Sequence, residues 1–336
     1  MRKIGLDFLK IFACIGVVLI HTTIWGFTNT VNGIDMIGQF NLYSYLFYLG
    51  VYAVPIFFML NGYFLLQKKQ LSYTYMFNKI KGIILVTVFW NLIIWIFKAD
   101  FAQNPIRKIF EAFNQGGYLP QFWFMTSLLI IYLSLPYLAA ILNSEKRYFI
   151  LLFVLLSIGF LVEGLNLSGK IIQYKIPQYL RLWTWYFYYV LGGYLSLPNN
   201  RILHFLNIKR NQNFVISLVL LSPIYLFIIS KYFYHTISVE YFYDSIFVKV
   251  LCLGIFILFF NLHLSSTKFN NLVYFLSSLT MGVYIVHMPL KKLWEAKVGF
   301  DFNYSISIYC LFVLSASFMI AACIARLPKI SRFIKL

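Results

Sequence analysis

Acidic residues are scarce in this sequence. Only 10 Asp and Glu stand against 28 Lys and Arg in 336 residues, and charged residues of both signs together make up 11%. A soluble domain is normally about 25% charged, so the composition excludes an ordinary water-soluble globular protein. Cysteine is also sparse. Cys14, Cys252, Cys310 and Cys323 fall inside apolar runs, without the close pairs that hold zinc or the framework of a disulfide-stapled fold. They are expected to pack as small apolar side chains, and no metal site is expected. No stretch has the composition of a soluble domain or a disordered tail, so residues 1–336 read as a single membrane domain.

What is present is hydrophobic residue, 61% of the chain. Apolar runs of roughly 20 residues, enough to cross about 30 Å of hydrocarbon as helix, recur with short polar breaks. Ten can be placed, at 4–26, 41–66, 80–97, 122–142, 148–165, 179–197, 214–235, 241–262, 272–290 and 304–325. The fold class is therefore all-α: a polytopic integral membrane protein with about ten transmembrane helices. The first run is too long for a signal-peptide core and lacks a small-residue cleavage site, so it is expected to be retained.

The net charge of +18 does not point to nucleic acid, because its distribution follows the membrane. With the N-terminus inside, 16 basic residues fall on the cytoplasmic side, among them Arg2, Lys3, Lys68, Lys69, Lys79, Lys81 and Lys335, and 10 on the other side. That imbalance places both termini in the cytoplasm. The excess attracts anionic lipid headgroups, and part of it can hold a phosphorylated cytosolic ligand.

Within KIGLDFLKIFACIGVVLIHTTIW, residues 3–25, three polar side chains interrupt the first span. Lys10 and His21 are eleven residues apart, about 20° past three full helical turns, and Asp7 lies about 40° to the other side. All three form one stripe, which should face the bundle because charge in hydrocarbon is expensive. The rise from Lys10 to His21 is about 16–17 Å. Asp7 and Lys10 could simply pair near the interface while Lys10 snorkels and His21 caps the outer end. Other segments give this stripe company. Pro55 and Gly62 are expected to interrupt the aromatic second span, and a basic loop with Lys68, Lys69, Lys79 and Lys81 follows it. Lys249 lies deep in the eighth run, facing protein, water or a partner such as Asp244 or Glu163. Arg181 is expected at the outer interface with Trp183 and Trp185, in an aromatic belt.

Taken together, these segments resemble the acyltransferase 3 family, membrane O-acyltransferases of surface and envelope glycans. KIFACIGVVLIH matches the family's basic residue, ten positions and histidine, with Lys10 and His21, and Asp7 stands where members often have Asp. PIFFMLNGYFLL resembles P-x-F-F-x-x-S-G-x-x-L, with Asn61 in place of Ser. FWFMTSLLIIYLSLPYL, RLWTWYFYYVLGGYLS and SLTMGVYIVHMPL resemble the fourth-, sixth- and late-helix segments, the last supplying His287. Two positions depart from the pattern. The second basic residue of an R-x-x-R pair is Gly82, with Lys79 at the first position and Lys81 adjacent, and a histidine before Trp123 is Gln121.

The resemblance implies an acyl-CoA donor in the cytoplasm, acetyl-CoA above all, and a glycan acceptor outside, with no permanently bound cofactor. It places Lys10, with Lys79 and Lys81, at the donor's phosphates, and Asp7 beside Lys10 to orient it. His21 becomes the general base, and His287 an acceptor-binding or oxyanion-stabilising group. Trp123, Arg181 and Lys249 are candidates for the acceptor side, whose loops are 98–121 and 291–303. A bacterial cytoplasmic membrane is the implied location. Two rivals remain: a polytopic exporter and a non-catalytic partner in surface polysaccharide assembly. Carriers often show two related halves, and nothing in residues 170–336 echoes the Asp7, Lys10, His21 stripe.

Overall fold

The computed structural model of the protein describes residues 3–31, 34–68, 71–198, 200–203, 208–298 and 306–334. Arg2, Lys69 and Lys335, assigned above to the cytoplasmic side, lie outside the described residues, as do 299–303 of the second outer loop and 304–305 of the tenth run.

Helix accounts for nearly all regular structure. Eight segments among the described residues are long and apolar enough to cross a membrane. They begin with α1 (Ile4–Thr23), extended by a 3-10 turn to Gly26. The second is α2 (Leu42–Leu49) joined through a 3-10 turn at Gly50–Tyr52 to α3 (Ala53–Leu66). Then come α4 (Tyr73–Phe97), α6 (Trp123–Ile141), α7 (Glu145–Leu167), α9 (Lys209–Ile229), α11 (Thr267–Lys297) and α12 (Ile306–Ala325), with a short helix α5 (Pro105–Phe113) between α4 and α6. The sixth and eighth expected spans form shorter helices, α8 (Leu182–Leu195) and α10 (Ile246–Phe260), of 14 and 15 residues. Each is preceded by 3-10 turns, at Gln178–Leu180 and Val239–Asp244, rather than by a longer helix. Among the described residues the one departure from helical structure is an antiparallel hairpin, β1 (Thr28–Val31) with β2 (Ile34–Ile37), in which Thr28 pairs with Ile37.

Local chemistry explains where the second span breaks. Pro55 falls in the first turn of α3, where its missing N–H leaves no intrahelical bond unmade. The break is three residues earlier, at Gly50–Tyr52, and Gly62 does not interrupt α3 at all. Gly62 instead permits a close helix crossing. A Cβ there would stand 1.8 Å from Tyr189 O, and one on Gly192 would stand 1.9 Å from Met59 O, so α3 and α8 meet backbone to backbone.

Helix α4 starts at Tyr73, well before residue 80, because Ser72 caps it by accepting from Tyr75 N at 3.2 Å. Lys79 and Lys81 are therefore helical, not loop, residues. The connection 98–121, assigned above to the outer side, holds α5, capped by Asn104 with Pro105 at its first position. There Lys108 and Arg107 both bond Glu111 at 2.9 Å and hold its carboxyl below the usual range.

Burial separates an inner from an outer set of helices. In α8, 11 of 14 residues are buried. In α7 the buried residues are Tyr148, Leu152, Leu155, Gly159, Val162 and Asn166, one stripe at alternating four- and three-residue steps. Its other face, with Phe153, Phe160 and Leu161, is exposed and suits hydrocarbon. Helices α1, α3, α8 and α11 form the interior around which the site is built.

Candidate active site

The inward face of α1 opens on a cavity of about 790 Å³. Lys10 lines one end of it and His21 the other, so the stripe read from the helical period does face the interior. At the Lys10 end, Asp7 is buried and pairs with the Lys10 ammonium at 3.6 Å, while Ser277 of α11 donates to Asp7 Oδ1 at 2.6 Å. The carboxylate is thus held from two helices, and Lys10 remains a third exposed, with its Nζ 5.0 Å from the Phe64 ring centroid.

Other residues at this end come from the stretch just after α3 and from α4. Lys68, Tyr75 and Lys79 line the cavity, and Lys68 Nζ donates to Tyr75 OH at 2.5 Å. Lys81 does not line it and is exposed. Two residues along α4 is a rotation of about 200°, so Lys79 and Lys81 cannot face the same space. Asn61 and Tyr132 also line the cavity, with Tyr132 OH donating to Asn61 Oδ1 at 3.1 Å. The Asn that departs from the family's usual Ser thereby ties α3 to α6.

At the other end His21 is in ring contact with His287, centroids 5.4 Å apart. His287 is fully buried and stands behind His21, outside the cavity lining. Its Nδ1 faces Val283 O at 3.1 Å, which can only accept, so this nitrogen carries a proton, and Nε2 has no hydrogen-bond partner among the described residues. A neutral imidazole in that tautomer has no donor to offer an oxyanion.

Two residues on, Pro289 lacks an N–H and so leaves the carbonyl of Ile285 unused within α11. Gln121 fills this gap: its Nε2 donates to Ile285 O at 3.4 Å, and Gln121 O accepts from Tyr284 OH. Gln121 lines the cavity and its Oε1 is unpartnered. Trp123 lines the wall nearby and packs on Trp185, centroids 5.1 Å apart. Lys291 reaches the same end, paired with Glu295 at 2.6 Å, and Glu295 accepts from Trp25 Nε1 at 3.2 Å.

Arg181 and Lys249 lie elsewhere. Arg181 is buried, donating to Ile176 O and Gln173 O and pairing with Glu240 at 3.5 Å; Glu240, not Arg181, lines the cavity. Lys249 is 2% exposed, donates to Asp244 O at 2.9 Å and approaches Asp244 Oδ1 at 3.8 Å. Gly159 makes room for it, since a Cβ there would stand 1.9 Å from the Lys249 ammonium. Glu163, the other partner considered for Lys249, accepts from Ile246 N at 3.0 Å and caps α10.

Sequence reading missed Lys68, Tyr75, Ser277 and Gln121 as wall or support residues. Ser277 adjoins the SLTMGVYIVHMPL segment on the helix that bears His287, Lys68 stands in the basic loop, and Gln121 stands where the family often has a histidine. Tyr75 carried no signal and meets the cavity through packing between helices.

Fold and site together define a multi-pass, all-helical membrane protein with an internal cavity lined by a lysine at one end and a histidine at the other. A search of curated proteins and of solved structures finds no significant match. The acyltransferase domain of the acyltransferase 3 family, however, matches residues 3–325, and the chain belongs to that family. It is a membrane acyltransferase.

Proposed function

We propose that the protein takes an acyl group, acetyl in the first instance, from cytoplasmic acyl-CoA and transfers it to a hydroxyl of an extracytoplasmic glycan. The carrying observation is the single cavity that has Lys10 at one end and His21 at the other, about 16–17 Å apart along α1. A pantetheine arm is long and thin enough to span that distance, with phosphates at Lys10, Lys79 and Lys68 and the thioester at His21. Ammonium groups suit phosphate as compact point charges.

In this reading His21 accepts the proton of the acceptor hydroxyl as its oxygen attacks the thioester carbonyl. The new ester C–O bond forms, the C–S bond breaks, and the CoA thiolate takes the proton back from the imidazolium. His287, behind His21, is a positioning residue rather than an oxyanion donor. Trp123 offers a ring face to a sugar, and Gln121 Oε1 and Glu240 offer acceptors to its hydroxyls. The proposed location is a bacterial cytoplasmic membrane, with Lys10 towards the cytoplasm.

The test uses sealed vesicles holding the protein in one orientation. Labelled acetyl-CoA supplied on the Lys10 side should leave label on acceptor glycan on the His21 side, and His21→Ala, folded and inserted, should abolish it. Labelling only when donor and acceptor share one side would overturn the transmembrane arrangement. Normal acylation by His21→Ala would remove His21 from the chemical step.

A further inference from the structure

The family match ends at residue 325, yet the chain beyond α12 turns back into the bundle. Its last described turn, Ser331–Ile334, is a 3-10 helix packed between α4, α11 and α12. The attachment is specific. Phe333 stacks on Phe89 with centroids 4.0 Å apart and planes 5° from parallel, and Trp90 Nε1 donates to Phe333 O at 2.8 Å. Ile334 is 0% exposed to solvent, yet it lines the same cavity as Lys10 and His21. A ring stack, a hydrogen bond and a buried side chain fix this turn to the bundle.

The depth of Ile334 can be read along α11. A Cβ on Gly282 would lie 3.5 Å from Ile334 Cβ and 2.8 Å from Ala321 Cβ, so the glycine admits both α12 and the tail. Gly282 is five residues after Ser277, which holds Asp7, and five before His287, which touches His21. Each interval is about 7.5 Å of helix rise. Ile334 therefore borders the cavity midway between its lysine and histidine ends.

We propose that the segment Arg326–Ile334 is a wall of the donor tunnel, and that Ile334 sets the width of the passage through which the thioester arm reaches His21. This rests on the donor reading given above. It adds a specificity-determining side chain from outside the matched family domain. The wall is apolar where it meets the arm, while Arg326, Lys329 and Arg332 on the same segment are exposed.

The nucleotide and the arm of the donor report on different parts of the tunnel, and this separates the two proposals. Binding of acetyl-CoA and of adenosine 3′,5′-bisphosphate, which lacks the arm, is measured on purified protein in detergent. With Ile334→Trp, acetyl-CoA should bind at least tenfold more weakly while the bisphosphate keeps its affinity within twofold, which also shows that the variant is folded. If both probes bind the variant as they bind the native chain, the tunnel-wall proposal fails alone. If neither binds the native chain, the donor reading fails and takes the wall with it. A second variant, Trp90→Phe, removes the donor to Phe333 O without touching the cavity surface. It should speed tryptic cleavage after Lys329 and Arg332 and weaken acetyl-CoA two- to fivefold; no change in either measurement would overturn the proposal.

Discussion

Two clusters of charged and polar side chains on the spanning helices, one around Asp244 and one around Lys10 and His21, are built in opposite ways. Around Asp244 the charges are closed in. Its Oδ1 accepts from Thr184 at 2.7 Å, its Oδ2 accepts from Gln173 and Trp183 at 3.1 and 3.2 Å, and Lys249 completes the group at 1–2% side-chain exposure. Around Lys10 and His21 the polar groups are held from behind, by Asp7 with Ser277 and by His287, and Lys10 and His21 line a cavity of about 790 Å³. An ionisable residue at membrane depth is a functional candidate by default. The contrast shows that depth does not decide the matter; what decides it is whether the charge faces protein or space.

The contrast can be broken from either side. His21→Ala should lower acyl transfer by about 100-fold or more, the usual range for a lost general base, with thermal unfolding in detergent unchanged. Lys249→Met should do the reverse. Removing one partner of a buried ion pair costs about 3–5 kcal/mol, so the unfolding temperature should fall, while protein that remains folded keeps its KM for acyl-CoA within twofold. A large rise in KM with unchanged stability would move Lys249 into the site. Lys10→Gln loses a charged contact to phosphate worth about 1.5–3 kcal/mol, and should raise KM for acyl-CoA roughly 10- to 100-fold with little change in kcat. Ser277→Ala, which loosens Asp7, should cost about 1 kcal/mol and raise the same KM a few-fold. Smallest of all is Lys81→Gln, expected to change nothing, against Lys79→Gln, expected to raise KM a few-fold. Equal effects of the last two would mean that α4 is rotated from its position here.

The stripe on α1 was legible in the sequence because a helix has a fixed period, and an eleven-residue spacing alone brings Lys10 and His21 to one face. The spans were legible because hydrocarbon thickness sets a length of apolar chain. Other readings failed for equally physical reasons. Lys79 and Lys81 looked equivalent until Ser72 started α4 early and placed them on different faces. Gly62 looked like a helix breaker, but its role is to admit the backbone of Tyr189. Gln121 remains a departure from the family's pattern, and packing gives it the Ile285 carbonyl that Pro289 leaves unused.

By itself, then, the sequence determined that this chain lives in a membrane, that it is helical, that its first helix turns Asp7, Lys10 and His21 inward, and which family it resembles. All of these follow from composition, period and local motif. Only the tertiary structure decided that Lys249 is closed in with Asp244, that His287 stands behind His21 outside the cavity lining, and that Ile334 comes back to line the cavity. Those facts depend on which helices pack together, and at membrane depth the cost of an unanswered polar group makes each neighbour decide what its partner is able to do.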